Sequence, residues 1–429
     1  MRASARRETL VPLENEVRPE ASSFRRPSPT PDPSLKREGR KSSHHEPVIV
    51  PLAGHPNVRN EWKGTFDSVD LGALAIHDAR MTKPSVFPVD FELLLASIGQ
   101  RLENGESIAA ELPAAIAGIS ALPAIAISQA APAIANTAKL YRWRSEPSLF
   151  EALFRRRLTD KEQLFQLPDL EYLFLFHLDG RIREASLQRI TGGLPSPFLF
   201  AAVALRLNDW VEQVREAALA CANRCFPLTS PDVVAGAAAA LLLRQHSWGR
   251  WGKEREAIDA AFTRTDVATR LAADLVDAQT GPASRILRFV LKHDAIDHHL
   301  ERLSAEAKQP SVRALAVQTI ADKRASWPAG MEYRWVDKSM GLRTRVPRFE
   351  FRDISLPLAG ARVIRAAASD KSAVVRRASL DALIRHRLGS EEAQELALRL
   401  KADVSPSVRE RADFILSRHA ELAASSDSD

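Results

Sequence analysis

The sequence predicts an all-α protein, most of it an α-solenoid of about seven helix pairs over residues 168–421, with a β-hairpin inserted near 332–352. Three observations carry that expectation. One residue pattern recurs five times, first at Arg183 and again 32 residues later at Arg215. Glycine is sparse (18 in 429 residues) while Ala, Leu, Arg and Glu dominate, which favours helix. One segment inside the repeats switches from helical to strand periodicity. A chain of 429 residues exceeds what one compact core holds, and stacked repeats escape that limit because each packs only on its neighbours.

The pattern is an aliphatic residue, then Arg, then a small residue three places on and usually an aliphatic one at seven. Its copies are Ile182-Arg183 with Ser186 and Ile190, Val214-Arg215 with Ala218 and Ala222, and Val312-Arg313 with Ala316 and Ile320. The last two are Val375-Arg376 with Ser379 and Leu383, and Val408-Arg409 with Ala412 and Leu416. In three copies an Asp precedes the Arg by six residues: Asp209, Asp370 and Asp403. Positions −1, +3 and +7 around the Arg share one helix face and form a stripe toward a partner helix. The small residue at its middle permits close approach. The Asp falls just before the helix, where it can cap open N–H groups and meet the Arg. Successive Arg residues are 32, 98, 63 and 33 apart. A period near 32 explains these if two degenerate repeats separate Arg215 from Arg313 and an insertion of about 30 residues follows Arg313.

This pattern resembles the second helix of the HEAT repeat, and bilin-lyase-type HEAT-like repeats share it. The resemblance covers roughly Pro168–His419. It implies stacked helix pairs with a long concave surface, hence a protein–protein scaffold. A nucleic-acid-binding protein is the alternative, and a bilin-lyase-like enzyme the second alternative, because a repeat specifies an architecture rather than an activity. Ankyrin and tetratricopeptide signatures are absent.

In register, first helices are expected near 168–177, 196–208, 231–245, 266–278, 296–308, 356–369 and 391–402. Second helices follow near 181–191, 210–225, 253–263, 281–293, 310–324, 371–387 and 405–419. Gly192-Gly193, Pro227, Pro231, Gly281-Pro282, Pro310 and Gly389 fall between them as breakers. Residues 81–167 read as an N-terminal helical cap or degenerate repeats. There Phe87–Leu102 is an amphipathic helix with Pro88 at its start, and Ser148–Arg157 is a helix whose Arg155, Arg156 and Arg157 suit a polar end. Between them the uncharged stretch Leu112–Ala138 is long enough to span a bilayer. Alanine inserts weakly, however, and Pro113, Pro123 and Pro132 break the stretch, so short buried helices are expected instead of a membrane span.

Residues 1–80 carry prolines and charges without period, as in Phe24–Lys41, and read as a disordered arm or a wrongly assigned start. The run Pro27–Lys41 resembles translated repeat DNA found upstream of many bacterial genes, which makes Met81 the expected natural start. Met1–Leu10 lacks the apolar core of a secretory signal, and nothing in cysteine usage calls for an oxidising compartment, so a cytoplasmic protein is expected. Residues 422–429 read as an acidic tail. The net charge of +6 and pI near 9.4 are a mild imbalance that permits nucleic acid without demanding it.

The insertion is the most informative segment for function. Tyr333, Trp335 and Asp337 alternate with Arg334, Val336 and Lys338, Ser339-Met340-Gly341 makes a turn, and Leu342–Phe351 returns. Arg334, Lys338, Arg343, Arg345, Arg348 and Arg352 stand among Tyr333, Trp335, Phe349 and Phe351. Such interleaving suits phosphate contact and base stacking, and equally a protein interface, where Tyr, Trp and Arg are common anchors. A hairpin folded back to cap helix ends is the competing expectation. A second candidate is Trp248, Arg250 and Trp251 in the Gly-rich run His246–Arg255, expected on the opposite rim. Tyr141-Arg142-Trp143-Arg144 reads as a solvated helix end. Cys221 and Cys225, at i and i+4 on one helix, read as buried apolar residues. The cluster His293, Asp294, Asp297, His298 and His299 lacks the i, i+4 histidine spacing of a helical metal site. No phosphate loop, nucleophile elbow or dinucleotide fingerprint occurs, so no catalytic residue, cofactor or metal ligand is assigned.

Overall fold

The computed structural model describes residues 86–141, 158–244, 248–250 and 252–426, with side chains to Leu422. The arm at 1–80, the alternative start at Met81, the Ser148–Arg157 helix, Arg142-Trp143-Arg144 and Trp251 lie outside the described residues. Those residues hold nineteen α-helices and one two-stranded antiparallel hairpin.

Local chemistry sets where the helices begin and break. Val89–Glu103 starts directly after Pro88 and buries Leu95, Ile98 and Leu102. The uncharged stretch breaks at Pro123: Leu112–Ala121 and the helical segment after it meet at 97°. Among the described residues no single helix is long and apolar enough to cross a membrane. The side chains of Ser196, Ser230 and Ser390 each accept a backbone N–H three residues on, and Pro197, Pro231 and Pro310 each stand at a helix start.

From Leu170 onward the helices follow one another in packed pairs. Leu170–Phe174 packs on Gly180–Arg189, Pro197–Arg206 on Glu212–Cys225, and Pro231–Gly236 on Arg255–Thr263. Next come Thr265–Asp277 with Ala283–Val290, Leu300–Glu306 with Pro310–Asp322, Gly360–Ala367 with Ala373–His386, and Glu391–Leu400 with Pro406–Ser426. That last helix runs into the segment read as a tail. First members also pack on first members: 197–206 on 231–236, then 265–277, 300–306 and 360–367 in turn. Second members do likewise, with 180–189 on 212–225 and 310–322 on 373–386, which in turn meets 406–426. The small residues Ser186, Ala218, Ala316, Ser379 and Ala412 are all fully buried at these contacts. Of the aliphatic stripe, only Ile182 and Leu416 keep partial exposure.

The Asp and Arg of the pattern form a ladder that runs between pairs. Asp209 accepts from Arg183 at 3.0 and 2.8 Å, Asp370 from Arg313 at 2.8 and 2.8 Å, and Asp403 from Arg376 at 2.6 and 2.7 Å. Each carboxylate therefore serves the Arg of the preceding pair. Each also caps its own helix, accepting the N–H two residues on, from Val211, Ser372 and Ser405. The Arg six residues after each Asp, namely Arg215, Arg376 and Arg409, donates instead to the main-chain oxygen of that Asp. Arg409 thus meets Asp403 through the backbone only. Arg215 reaches a carboxylate at Glu254, 3.8 Å away, where the repeat has lost its Asp.

One rung lies where the pattern showed none. His177 occupies the place six residues before Arg183; its Nδ1 accepts the Asp179 N–H at 2.9 Å and its Nε2 meets Asp160 at 3.1 Å. The position alone pointed to it, because the residue type did not. The Cys221 and Cys225 thiols are buried 3.9 Å apart within the helix contact.

Candidate partner-binding hairpin

The helix Pro310–Asp322 ends on Lys323 in the left-handed region (φ 49°), and the chain passes at once into strand β1, Arg324–Asp337. Strand β2, Leu342–Asp353, returns antiparallel to it, and the Ile354 N–H closes the base on the Lys323 carbonyl at 3.0 Å. The hairpin is thus longer than the expected 332–352, beginning at Arg324. Its register explains the shortfall. Pro328 opposes Phe349 and Met331 opposes Pro347, so one extra residue bulges at Ala329-Gly330 and breaks the alternation that marks a strand. Gly330 takes φ 108° there, and Pro347, which lacks an N–H, sits against the bulge. Gly341 supplies φ 66° at the tip, where Asp337 accepts from the Ser339 and Met340 N–H groups.

The root is anchored and the blade is bare. Ala325 and Trp327 are buried against the helices. Arg352 grips the body: both Asp297 oxygens accept from it at 2.7 Å, and the Leu291 and His293 carbonyls accept at 3.1 and 3.0 Å. Arg352 was expected on display and is instead a clamp, and Asp297 of the His/Asp cluster is its counter-ion. Among the described residues no group of three His, Cys, Asp or Glu is placed to hold a metal ion. His293 lies buried beside this clamp, and burial holds its imidazole well below its ordinary pKa, with Asp259 pulling partly the other way.

Tyr333 and Trp335 out on the blade, and Phe349 and Phe351 beside the root, are 49–63% exposed, so they do not cap helix ends. Three of these rings carry a guanidinium: Arg343 lies 4.5 Å from the Tyr333 centroid, Arg324 4.5 Å from Phe351 and Arg288 6.0 Å from Phe349. Arg334 has Glu332 at 3.7 Å, and Arg348 donates to Glu350 and, across the bulge, to the Ala329 carbonyl, both at 3.1 Å. Of the second candidate spot, Trp248 and Arg250 are among the described residues. Trp248 packs partly buried against the core, and the Arg250 N–H donates to Asn208 at 3.0 Å. The expectation of exposed aromatics there is corrected for Trp248, whose ring is half-buried against the core.

Between the hairpin and the helix Ala283–Val290 lies a cleft of about 340 Å³. Arg285, Arg288 and Phe289 line it from the helix, and Pro328, Gly330, Met331, Arg345 and Pro347 from the hairpin. Sequence reading missed the helix half of this site. A scan against protein-family models matches no family, and a search of curated proteins finds no match.

Proposed function

We propose that the chain is a HEAT-type α-solenoid that works as a cytoplasmic protein–protein scaffold and takes its partner on the hairpin. The packing of first helices on first and second on second, with an Arg–Asp rung between pairs, supports the repeat reading. The observation that carries the binding reading is the contrast within the hairpin. Its root is held by Trp327 and Arg352, while four large aromatic side chains, Tyr333 and Trp335 on the blade and Phe349 and Phe351 beside the root, stand in solvent. A brace would bury those rings. Aromatic and Arg side chains left exposed on an anchored element suit an interface. The nucleic-acid alternative draws on the same Arg and aromatic mixture.

The test replaces residues 332–346, whose ends face each other across the hairpin, with a short Gly-Ser linker, which leaves Ala325, Trp327 and Arg352 with their cross-strand partners. The expected result is an unchanged melting temperature with loss of the partners that the intact chain captures, and capture that survives nuclease treatment. A collapse of the melting temperature would make the hairpin a brace. Capture that vanishes with nuclease would move the reading to nucleic acid.

A further inference from the structure

The hairpin cleft holds positive charge that the protein itself does not neutralise. Among the described residues, no carboxylate lies within ion-pair distance of Arg285, Arg288 or Arg345, although most other arginines of this chain have one or a run of carbonyls. Arg288 is the telling member. It is half-buried, desolvation lowers its pKa, and its one described contact is the Phe349 ring at 6.0 Å. A desolvated cation without a counter-ion is costly unless something supplies the charge. The rest of the lining is apolar: Phe289, Met331, Pro328 and Pro347.

We propose that this cleft is where the hairpin's protein partner docks an acidic peptide segment, its carboxylates on Arg285, Arg288 and Arg345 and a neighbouring apolar side chain among Phe289, Met331 and the two prolines. The proposal deepens the scaffold reading and rests on it. Guanidinium groups pair carboxylates in a planar, two-point fashion, and three of them around an apolar floor select charge and apolar bulk together. Two observations favour a peptide over nucleic acid. The hairpin Arg324–Asp353 mixes seven basic residues with four acidic ones (Glu332, Asp337, Glu350, Asp353), which interrupts any track for a phosphate backbone. Tyr333, Phe349 and Phe351 each already have a guanidinium on the ring, which leaves less open face for stacked bases.

The experiment uses the full chain and a fluorescein-labelled peptide Glu-Glu-Leu-Phe-Glu-Glu, with Gln-Gln-Leu-Phe-Gln-Gln as its neutral twin, read by fluorescence anisotropy. Saturable binding is expected, about tenfold or more tighter for the acidic peptide and weakened by added salt. Arg288→Gln with Arg345→Gln should weaken it at least tenfold. The single Arg345→Gln, on the exposed hairpin, should weaken it severalfold with the melting curve unchanged, and Arg302→Gln, elsewhere on the surface, should leave it alone. Equal binding of the twins, or no saturable binding, overturns the proposal. So does Arg-dependent binding of an oligo-dT strand or of phenyl phosphate without the peptide. The linker replacement above can still abolish native capture in any of those cases, and then only the partner's chemistry is wrong.

Discussion

Asp209 is the place to test whether the ladder stabilises the fold or merely decorates it. Its carboxylate accepts four hydrogen bonds: from Arg183 at 3.0 and 2.8 Å, Arg206 at 2.9 Å and the Val211 N–H at 3.0 Å. The Arg183 and Asp209 side chains are only 3% and 1% exposed. Asp209→Ala removes the one anion between two guanidiniums, of which Arg206 is already pushed down to about 10 by burial. Removing one partner of a buried ion pair costs about 3–5 kcal/mol. Arg183→Met removes the pair from the other side, yet Asp209 keeps Arg206 and the Val211 N–H. What is lost then is a cation's hydrogen bonds, including those to the His177 and Leu178 carbonyls, for about 1–3 kcal/mol. The expected order is therefore Asp209→Ala well below Arg183→Met in stability, read by urea unfolding with far-ultraviolet circular dichroism. A cost for Asp209→Ala under about 1 kcal/mol, or the reverse order, would refute the reasoning.

Ala316→Leu enlarges a fully buried contact between the helices 310–322 and 300–306 and should cost about 1–3 kcal/mol with a broadened transition; a parental melting curve would place Ala316 off the contact. Arg352→Gln breaks the grip on Asp297 at the hairpin root, so trypsin should cut at Arg334 and Lys338 faster than in the parent while the helical signal holds; an unchanged cleavage rate counts against the clamp. His293 has its pKa lowered from 6.5 to about 4, chiefly by burial. A depressed folded value means that the fold favours the neutral ring, so its contribution is full above pH 6.5 and drains as pH falls toward 4. The charged groups around it are Asp259, Lys292, Arg352 and Asp294. Melting temperature against pH should therefore fall less steeply over that range in His293→Gln than in the parent, and equal slopes would assign the loss to other groups.

The helical content and the existence of the hairpin were legible because both rest on local periodicity, which a single chain displays. The stripe positions of the repeat also told their own story, since Ser186, Ala218, Ala316, Ser379 and Ala412 were readable as small residues at a helix contact. What escaped depends on pairing across the chain. Nothing local tells Asp403 to choose Arg376 over its own Arg409, because that choice is made by how one helix pair sits on the next. The hairpin root was hidden by its bulge, where Ala329-Gly330 breaks alternation. The cleft was hidden because Arg285 and Arg288 read as ordinary solvated positions on a helix until the hairpin comes over them. Arg352 was misread for the converse reason: a fourth basic residue in a basic strand gives no sign that Asp297 is waiting for it.

The rung from Arg313 to Asp370 crosses 57 residues of chain with the whole hairpin between them, and its 2.8 Å bonds fall within the range of the rungs that cross 26 or 27. The hairpin leaves the body at Arg324 and comes back beside itself at Asp353, its cross-strand partner. Entry and exit therefore stay together whatever is added or removed at the far end. Mutation can lengthen or shorten the blade by paired residues, or rewrite Glu332 to Val346 entirely, without moving either end of the rung. The exposed blade is free to change at a rate that the helices beneath it could not survive.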